Sequence, residues 1–190
     1  EIANYIVSDG KGILAADESN PTCGKRFDSI GVESTEINRR DYREMLFRAS
    51  GMQDNIGGVI LFDETIRQSA EDGTSLVELI KNQGALPGIK VDKGLAPLES
   101  SPEETVTQGL DGLDERCKDY VSLGAKFTKW RAVIKISDSL PTDECIDANM
   151  QALAKYATIV QSNNRIPMVE PEVLMDGNGI LDTSDADEYN

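Results

Sequence analysis

The sequence has 190 residues, 39% of them hydrophobic, which is enough for one domain or for one large piece of a bigger domain. It contains no histidine, so Ser-His and Cys-His nucleophile pairs and histidine metal sites are excluded, and acid–base chemistry falls to carboxylates and lysines. The net charge of −15 argues against nucleic acid as a partner and requires that any site for an anion be a local basic pocket.

The cysteines and the apolar runs indicate the cellular compartment that we expect for the protein. Three widely spaced cysteines, Cys23, Cys117 and Cys145, argue against a disulfide framework and favour a reducing compartment, so we expect a cytoplasmic protein. No apolar run approaches the length of a membrane span, and residues 1–7 lack the basic flank of a signal peptide. The sequence begins abruptly, and we expect an upstream part to be missing.

Five apolar runs typical of β-strands recur along the chain, at residues 12–16, 56–62, 87–91, 125–136 and 166–169. Apolar residues at steps of three and four predict amphipathic helices at 35–49, 104–123 and 142–162. Alternating strands and helices imply parallel strands joined by right-handed crossovers. Two architectures fit this order: an open doubly wound sheet, or a (β/α)8 barrel cut short.

Polar residues at the strand ends help to choose between these architectures. An open sheet concentrates such residues at one switch point, whereas a barrel with a central site has them at the C-terminal end of every strand. Here every run ends in or contains charged residues: Asp17-Glu18-Ser19, Asp63-Glu64-Thr65, Asp92-Lys93, Lys129 with Arg131, and Glu170-Pro171-Glu172. The sequence therefore predicts an α/β fold, a (β/α)8 TIM barrel of which residues 1–190, as a single domain, hold about the first five strands.

The run at 125–136 is the most informative of the five. Because side chains alternate across a strand, Phe127, Lys129 and Arg131 share one face, while Thr128 and Trp130 share the other. The run continues into apolar residues, so part of it is expected to be buried, and buried cations need anionic partners. Those partners are either carboxylates of the protein or phosphates of a ligand, and both interpretations are open.

Charged residues of the other strands are predicted to meet these cations. Lys90 and Asp92 fall on one face of the third strand, and Glu170 and Glu172 fall on one face of the fifth. Close cations depress the pKa of a lysine, and neighbouring carboxylates can divide into an acid and a base. Such a set suits proton transfer beside a bound sugar phosphate. The alternative is an ion-pair network that closes the barrel without catalysis.

Six blocks of sequence carry a resemblance to a known family. The blocks are Gly-Lys-Gly-Ile-Leu-Ala-Ala-Asp-Glu-Ser (10–19), Gly-Gly-Val-Ile-Leu-Phe-Asp-Glu-Thr (57–65), Pro-Gly-Ile-Lys-Val-Asp-Lys-Gly (87–94), Thr-Gln-Gly-Leu-Asp-Gly-Leu (107–113), Lys-Trp-Arg (129–131) and Val-Glu-Pro-Glu-Val-Leu (169–174). In order and at family spacing, they resemble class I fructose-1,6-bisphosphate aldolase, and the resemblance runs from residue 1 to about 177.

The resemblance implies four catalytic residues. Asp17 matches the aspartate that handles the C4 hydroxyl proton, and Lys129 matches the lysine that stabilises developing negative charge and assists the imine steps. Glu170 matches the general acid of carbinolamine dehydration, with Glu172 beside it. The implied reaction cleaves fructose 1,6-bisphosphate into dihydroxyacetone phosphate and glyceraldehyde 3-phosphate, without metal or cofactor, in a cytosolic glycolytic homotetramer.

The resemblance also implies substrate- and phosphate-binding residues: Ser19, Thr22, Arg26, Arg39, Lys90 and Arg131. Thr22 stands where the family usually has a serine, a change that keeps the hydroxyl. For Arg39, an arginine on a helix surface is an equally good interpretation.

The family's Schiff-base lysine has no counterpart in the sequence. It lies on the sixth strand in a Leu-Leu-Lys-Pro-Asn-Met-type motif, whereas Lys155 falls on a predicted helix and Lys135 on the wrong strand. We therefore expect the first half of an aldolase subunit, clipped at both ends and inactive by itself. The alternative is a truncated or non-catalytic relative that acts as a sugar-phosphate-binding or scaffold protein.

Overall fold

The computed structural model describes residues 1–174. In this part of the chain the strands are β1 (Gly12–Ala16), β2 (Ile56–Leu61), β3 (Leu86–Lys90), β4 (Leu95–Leu98), β5 (Ser101–Thr107), β6 (Phe127–Ile134) and β7 (Ile166–Val173). The helices are α1 (Ile2–Ile6), α2 (Asn20–Asp28), α3 (Glu36–Phe47), α4 (Met52–Asn55), α5 (Asp63–Ile66), α6 (Leu76–Asn82), α7 (Leu113–Ser122) and α8 (Asp143–Ser162). None of these helices has the length and hydropathy that a bilayer crossing requires.

The main sheet is parallel and follows chain order, β1-β2-β3-β6-β7. This confirms the prediction of five parallel strands lying side by side. One contact shows that the sheet is curled. The side chain of Asp17, after β1, reaches Lys129 on β6 although two strands lie between them. These features are those of a partial TIM barrel.

The predicted helix at 104–123 is wrong in its first part. Residues 101–107 form β5, which pairs antiparallel with β4 as a hairpin beside the main sheet. The β-branched side chains of Thr105, Val106 and Thr107 favour a strand. Gly109 and Gly112 then adopt positive φ angles, so the helix begins only at Leu113.

The other two predicted helices are confirmed as α3 and α8. Each begins after a threonine whose hydroxyl accepts a backbone N–H, from Asn38 to Thr35 in α3 and from Cys145 to Thr142 in α8. Both helices pack an apolar face on the outer side of the sheet, where Phe47 and Trp130 are fully buried. This outer layer is the main hydrophobic core.

A second, smaller apolar cluster fills the inside of the curled sheet. Phe127 packs there against Ile60 and Ile6, the last of which comes from α1. Gly88 on the neighbouring strand makes room for the ring, since a Cβ at that position would lie 2.3 Å from it. Among the described residues, this end of the curled sheet is therefore lined by apolar side chains, and the charged side chains of Lys129 and Glu170 lie towards the opposite end.

Candidate active site

A cavity of about 820 Å³ opens at the C-terminal ends of the parallel strands. All the predicted site residues except Arg39 line it: Asp17, Ser19, Thr22, Arg26, Lys90, Lys129, Arg131, Glu170 and Glu172. Side chains to which sequence analysis gave no role line it as well: Glu18, Phe62, Asp63, Lys93, Leu95, Arg116 and Tyr120. Glu18 and Asp63 follow strands directly and share the strand-end signal, whereas Arg116 and Tyr120 come from α7, where no such signal exists.

The pleat of β6 places the central lysine in this cavity. Phe127, Lys129 and Arg131 share one face, as predicted, and the structure shows that this is the inner face of the sheet. Lys129 pairs in register with Lys90 of β3. On the opposite face, Thr128 hydrogen-bonds the hydroxyl of Tyr156 on α8 at 2.6 Å. The strand is thereby fixed from behind, and its inward residues point towards the cavity.

Lys129 lies between two carboxylates. Its Nζ is 3.3 Å from Oδ2 of Asp17 and 3.0 Å from Oε1 of Glu170, and the residue is only 8% exposed. Burial lowers the pKa of Lys129, but the charges of Asp17 and Glu170 outweigh burial, so the net shift is upward. We expected close cations to depress the pKa of a lysine in this set. For Lys129 that expectation is wrong, because its nearest charged neighbours are anions.

Three other cations of the cavity also have carboxylate partners. Lys90 pairs with Asp92, and Arg26, whose side chain is 57% exposed, pairs with Glu18. Arg131 pairs with Glu172, whose hydrogen bond lowers the pKa of Glu172 and raises that of Arg131. The interpretation in which protein carboxylates neutralise the buried cations is therefore correct. Phosphate as a second partner stays a prediction.

Two hydroxyls lie at the rim of the cavity, where β1 passes into α2. Ser19 is the residue before the first turn of α2, and its Oγ lies 3.0 Å from Oγ1 of Thr22. Both side chains line the cavity on the side of Arg26. The three side chains together offer hydroxyl and guanidinium donors suited to an anionic oxygen.

Arg39 lies outside the cavity. Its Nε and Nη2 bond the two carboxylate oxygens of Glu64 at 2.8 Å and 2.7 Å, and Nη1 donates to the Ser34 carbonyl at 2.6 Å. The interpretation of Arg39 as a surface arginine is wrong, because the residue is 9% exposed. Its predicted role in substrate binding stays a prediction.

Two residues of α7 contact strand ends, Arg116 at the third strand and Tyr120 at the second. Arg116 donates from Nη1 to the Val91 carbonyl at 2.8 Å and also bonds the Gly109 carbonyl. Burial and a hydrogen bond with Asp63 raise the pKa of Tyr120 to about 12, so its hydroxyl stays protonated.

Within residues 1–174, no group of three histidine, cysteine, aspartate or glutamate side chains is placed to hold a metal ion.

Comparison with known proteins identifies the family. A family model described as glycolytic "Fructose-bisphosphate aldolase class-I" matches residues 1–187. The chain belongs to the class-I fructose-bisphosphate aldolase family. The resemblance seen in the sequence is thereby confirmed.

Relatives within the aldolase family are similar over nearly the whole chain. A probable fructose-bisphosphate aldolase class 1 of Xanthomonas campestris is 52% identical over 183 residues, 96% of this chain and 55% of that protein. Fructose-bisphosphate aldolase C-B of Danio rerio is 55% identical over 178 residues, 93% of this chain and 49% of that protein. The chain thus spans about half the length of the relatives it matches.

A solved aldolase structure has the same fold. The fructose-bisphosphate aldolase of Plasmodium falciparum, in a complex with TRAP and a small-molecule inhibitor, superposes with a TM-score of 0.90 at 50% identity. The match covers 93% of this chain and 51% of that one. The fold of the chain is therefore that of the aldolase family.

Proposed function

We propose that the intact protein containing this chain is a metal-independent glycolytic aldolase. It cleaves fructose 1,6-bisphosphate into dihydroxyacetone phosphate and glyceraldehyde 3-phosphate, using an imine formed on a lysine outside residues 1–190. One observation carries the proposal: Lys129 lies between Asp17 and Glu170 in a cavity that Lys90 and Arg131 also line. That arrangement puts acid–base groups next to cations able to hold phosphate.

The reaction needs an acceptor for an electron pair and an acceptor for a proton. When the C3–C4 bond breaks, its electron pair moves into the C2–C3 bond and on to the imine nitrogen, while the C4 hydroxyl becomes a carbonyl. Asp17 takes the proton of that hydroxyl. The support for this role is its position in the cavity: the residue is 8% exposed, and its Oδ2 lies 3.3 Å from Nζ of Lys129.

Lys129 acts as a cation in this scheme and not as the amine that forms the imine. An amine attacks a carbonyl only when it is neutral, and the two carboxylates beside Lys129 raise its pKa. As an ammonium it stabilises negative charge on oxygen atoms of the substrate during imine formation and cleavage. The nucleophile is therefore a different lysine.

The two glutamates of β7 have different roles because their neighbours differ. Glu172 pairs with Arg131, which lowers its pKa and keeps it ionised. Glu170 contacts Lys129 and is partly open to the cavity, with a side chain 33% exposed. Glu170 is therefore the residue that protonates the hydroxyl leaving the carbinolamine, and Glu172 holds Arg131 in place.

The phosphate groups bind where cations and hydroxyls meet. Arg26, Lys90 and Arg131 supply the charge, and Ser19 and Thr22 supply hydroxyl donors. Each of the three cations has a carboxylate partner, so phosphate binding replaces or shares that partner. A local basic set of this kind is needed because the net charge of −15 repels anions at long range.

The same proposal covers the setting of the enzyme. Residues 1–190 form part of one barrel domain of a cytoplasmic homotetramer that needs no cofactor and has no nucleic-acid or membrane partner. The match to a glycolytic family and the net charge of −15 support it. So do three cysteines that are all buried and free.

The test is to trap the imine in the intact protein. The protein is incubated with dihydroxyacetone phosphate, reduced with borohydride and mapped by peptide mass spectrometry, alongside a cleavage assay with fructose 1,6-bisphosphate. We expect cleavage, with one adduct on a lysine outside residues 1–190. An adduct on Lys129 or Lys90 would contradict the mechanism. Binding of the bisphosphate without cleavage or adduct would indicate a sugar-phosphate-binding protein instead.

A further inference from the structure

A buried arginine contacts the backbone before and after Asp17. Arg43 lies on α3 and is 1% exposed. Its Nη2 donates to the carbonyl of Glu18 at 2.7 Å, and its Nε lies 3.4 Å from the carbonyl of Ala16. These two carbonyls belong to the residues immediately before and after Asp17. One guanidinium therefore contacts the carbonyls of the residue before and the residue after the aspartate.

The remaining donors of Arg43 bind the same segment. Nη1 lies 2.8 Å from Sγ of the buried Cys23 on α2, and Nη2 lies 3.3 Å from Oε2 of Glu18. Arg43 does not line the cavity, so it has no access to a substrate. Its side-chain hydrogen bonds are all with the segment that runs from the end of β1 into α2.

The segment that Arg43 holds has little other backbone support. The parallel pairing of β1 with β2 ends at Ala16, opposite Leu61. Asp17 lies beyond the last ladder pair. The planar fork of an arginine can hold two carbonyls at a fixed separation, whereas a lysine is a single point charge. Beyond the end of the sheet, Arg43 thus supplies the hydrogen bonds that hold the backbone on either side of Asp17.

We propose that Arg43 is a positioning residue for Asp17. By holding the carbonyls of Ala16 and Glu18, it keeps the Asp17 carboxylate next to Lys129 and within reach of the C4 hydroxyl of the substrate. This inference rests on the proposed aldolase function. Small displacements are costly in such a site, because a misplacement of about 1 Å lowers a rate by about 100-fold.

Docking of α3 onto the sheet does not depend on Arg43 alone. Phe47 at the end of the helix is fully buried in the main core. Arg39, one turn before Arg43, holds Glu64 with two hydrogen bonds. We therefore expect a conservative substitution at Arg43 to leave the fold in place.

The test compares two reactions of the same intact enzyme. Dihydroxyacetone phosphate has no C4, so exchange of its C3 proton with solvent uses the imine but not the group that accepts the C4 hydroxyl proton. Cleavage of fructose 1,6-bisphosphate uses both. Both rates are measured for wild type, R43K and R43A, and each is divided by the amount of imine that borohydride traps. The control is R48K, since Arg48 is 42% exposed on its side chain and pairs with Glu44 and Asp72.

We expect R43K to lower kcat for cleavage by about 10- to 100-fold while C3 exchange stays within about twofold of wild type. R48K should leave both rates unchanged. In R43A, added guanidinium should restore cleavage, because the free ion fits the space that the side chain leaves, and ammonium should not. Partial unfolding lowers both rates together and leaves their ratio unchanged.

Equal falls in cleavage and exchange, or loss of the fold in both Arg43 variants, would assign Arg43 to stability alone and overturn the inference. The proposed function fails by a different result, namely a folded wild-type enzyme that neither exchanges nor cleaves. Wild-type activity combined with an unchanged ratio in R43K leaves the function standing and removes only the positioning role.

Discussion

Charge pairing inside the curled sheet decides what each ionisable residue of the site can do. Lys129 is an ammonium because carboxylates flank it, and Glu172 is ionised because Arg131 bonds it. Arg39, which the family resemblance places among the binding residues, pairs with Glu64 outside the cavity, and its substrate-binding role stays a prediction. Two substitutions separate the roles of these residues.

Replacing Lys129 by methionine in the intact protein is expected to lower kcat for cleavage by about 100-fold or more, because general acid–base and electrostatic groups contribute effects of this size. The substitution keeps the bulk of the side chain and leaves Asp17 and Glu170 without their shared cation. The matched control is K135M, since Lys135 is exposed and 3.7 Å from Glu103. Steady-state kinetics measure kcat for cleavage in both variants. A kcat of the Lys129 variant equal to that of the Lys135 variant would contradict the proposed role of Lys129.

Replacing Arg39 by alanine is expected to lower the free energy of unfolding by about 3 kcal/mol, because removing one partner of a buried ion pair leaves the other charge uncompensated. The partner here is Glu64, whose side chain is only 20% exposed. The Michaelis constant should stay unchanged because Arg39 does not line the cavity.

The control for Arg39 is the double variant R39M/E64M, which removes both charges and should recover most of the stability by denaturant unfolding. A raised Michaelis constant in R39A with no loss of stability would support instead the substrate-binding role implied by the family resemblance.

At the scale of elements, the hairpin of β4 and β5 is tied to the longest helix, α8. Glu104 of β5 is 3% exposed and accepts hydrogen bonds from the backbone N–H and the hydroxyl of Thr142, at 2.9 Å and 2.6 Å. The same Thr142 hydroxyl accepts the N–H of Cys145 in the first turn of α8. A buried carboxylate thus holds the start of the helix.

This contact makes stability depend on pH in a defined direction. Burial raises the pKa of Glu104, but the hydrogen bonds from Thr142 outweigh it, so the folded-state pKa lies below the usual glutamate value. Such a group stabilises the fold above the unfolded-state pKa, about 4.3, and that stability is lost as pH falls through the folded-state value.

We therefore expect E104Q to lower the melting temperature at pH 7, and the difference from wild type to shrink below about pH 4.3 as the wild-type carboxylate becomes protonated. Thermal melts of the intact protein between pH 3.5 and 7 measure this, with E103Q as the control because the Glu103 side chain is 73% exposed. A difference that stays constant over this range would show that Glu104 does not act through its charge.

At the scale of the whole molecule, the basic residues of the candidate site belong to a chain whose net charge is strongly negative. The chain carries 34 acidic and 19 basic residues, and several of the basic ones meet at the open end of the sheet. In the imine mechanism that we propose, a lysine outside residues 1–190 supplies the electron sink, Lys129 and the arginines stabilise charge, and no metal ion takes part.

We accordingly expect cleavage by the intact protein to be unaffected by EDTA at concentrations that strip zinc from metal-dependent enzymes. The reason is that an iminium nitrogen takes the electron pair that a Lewis acid would otherwise stabilise. The measurement is the cleavage rate before and after dialysis against the chelator. Loss of activity that zinc restores would contradict the mechanism.

The sequence alone determined the features that follow from local periodicity. Alternation along β6 put Lys129 and Trp130 on opposite faces of the strand, and charged residues at the strand ends indicated a barrel, whereas the site residues came from the family resemblance. These features are predictable because the burial pattern and backbone preference of one segment depend mainly on its own residues. The same local signals failed at 104–107, where the three-and-four spacing of apolar residues outweighed the β-branched side chains in the prediction.

Only the tertiary structure decided which charges pair. Lys129 and Asp17 meet because the sheet curls, Arg39 reaches Glu64 instead of the cavity, and Arg43 crosses from α3 to the carbonyls beside Asp17. No pattern in the sequence marks these contacts, since each joins segments distant along the chain through the curvature of the sheet and the placement of helices on it. The pKa of Lys129 follows from those contacts, so its direction could be known only once the three-dimensional arrangement was known.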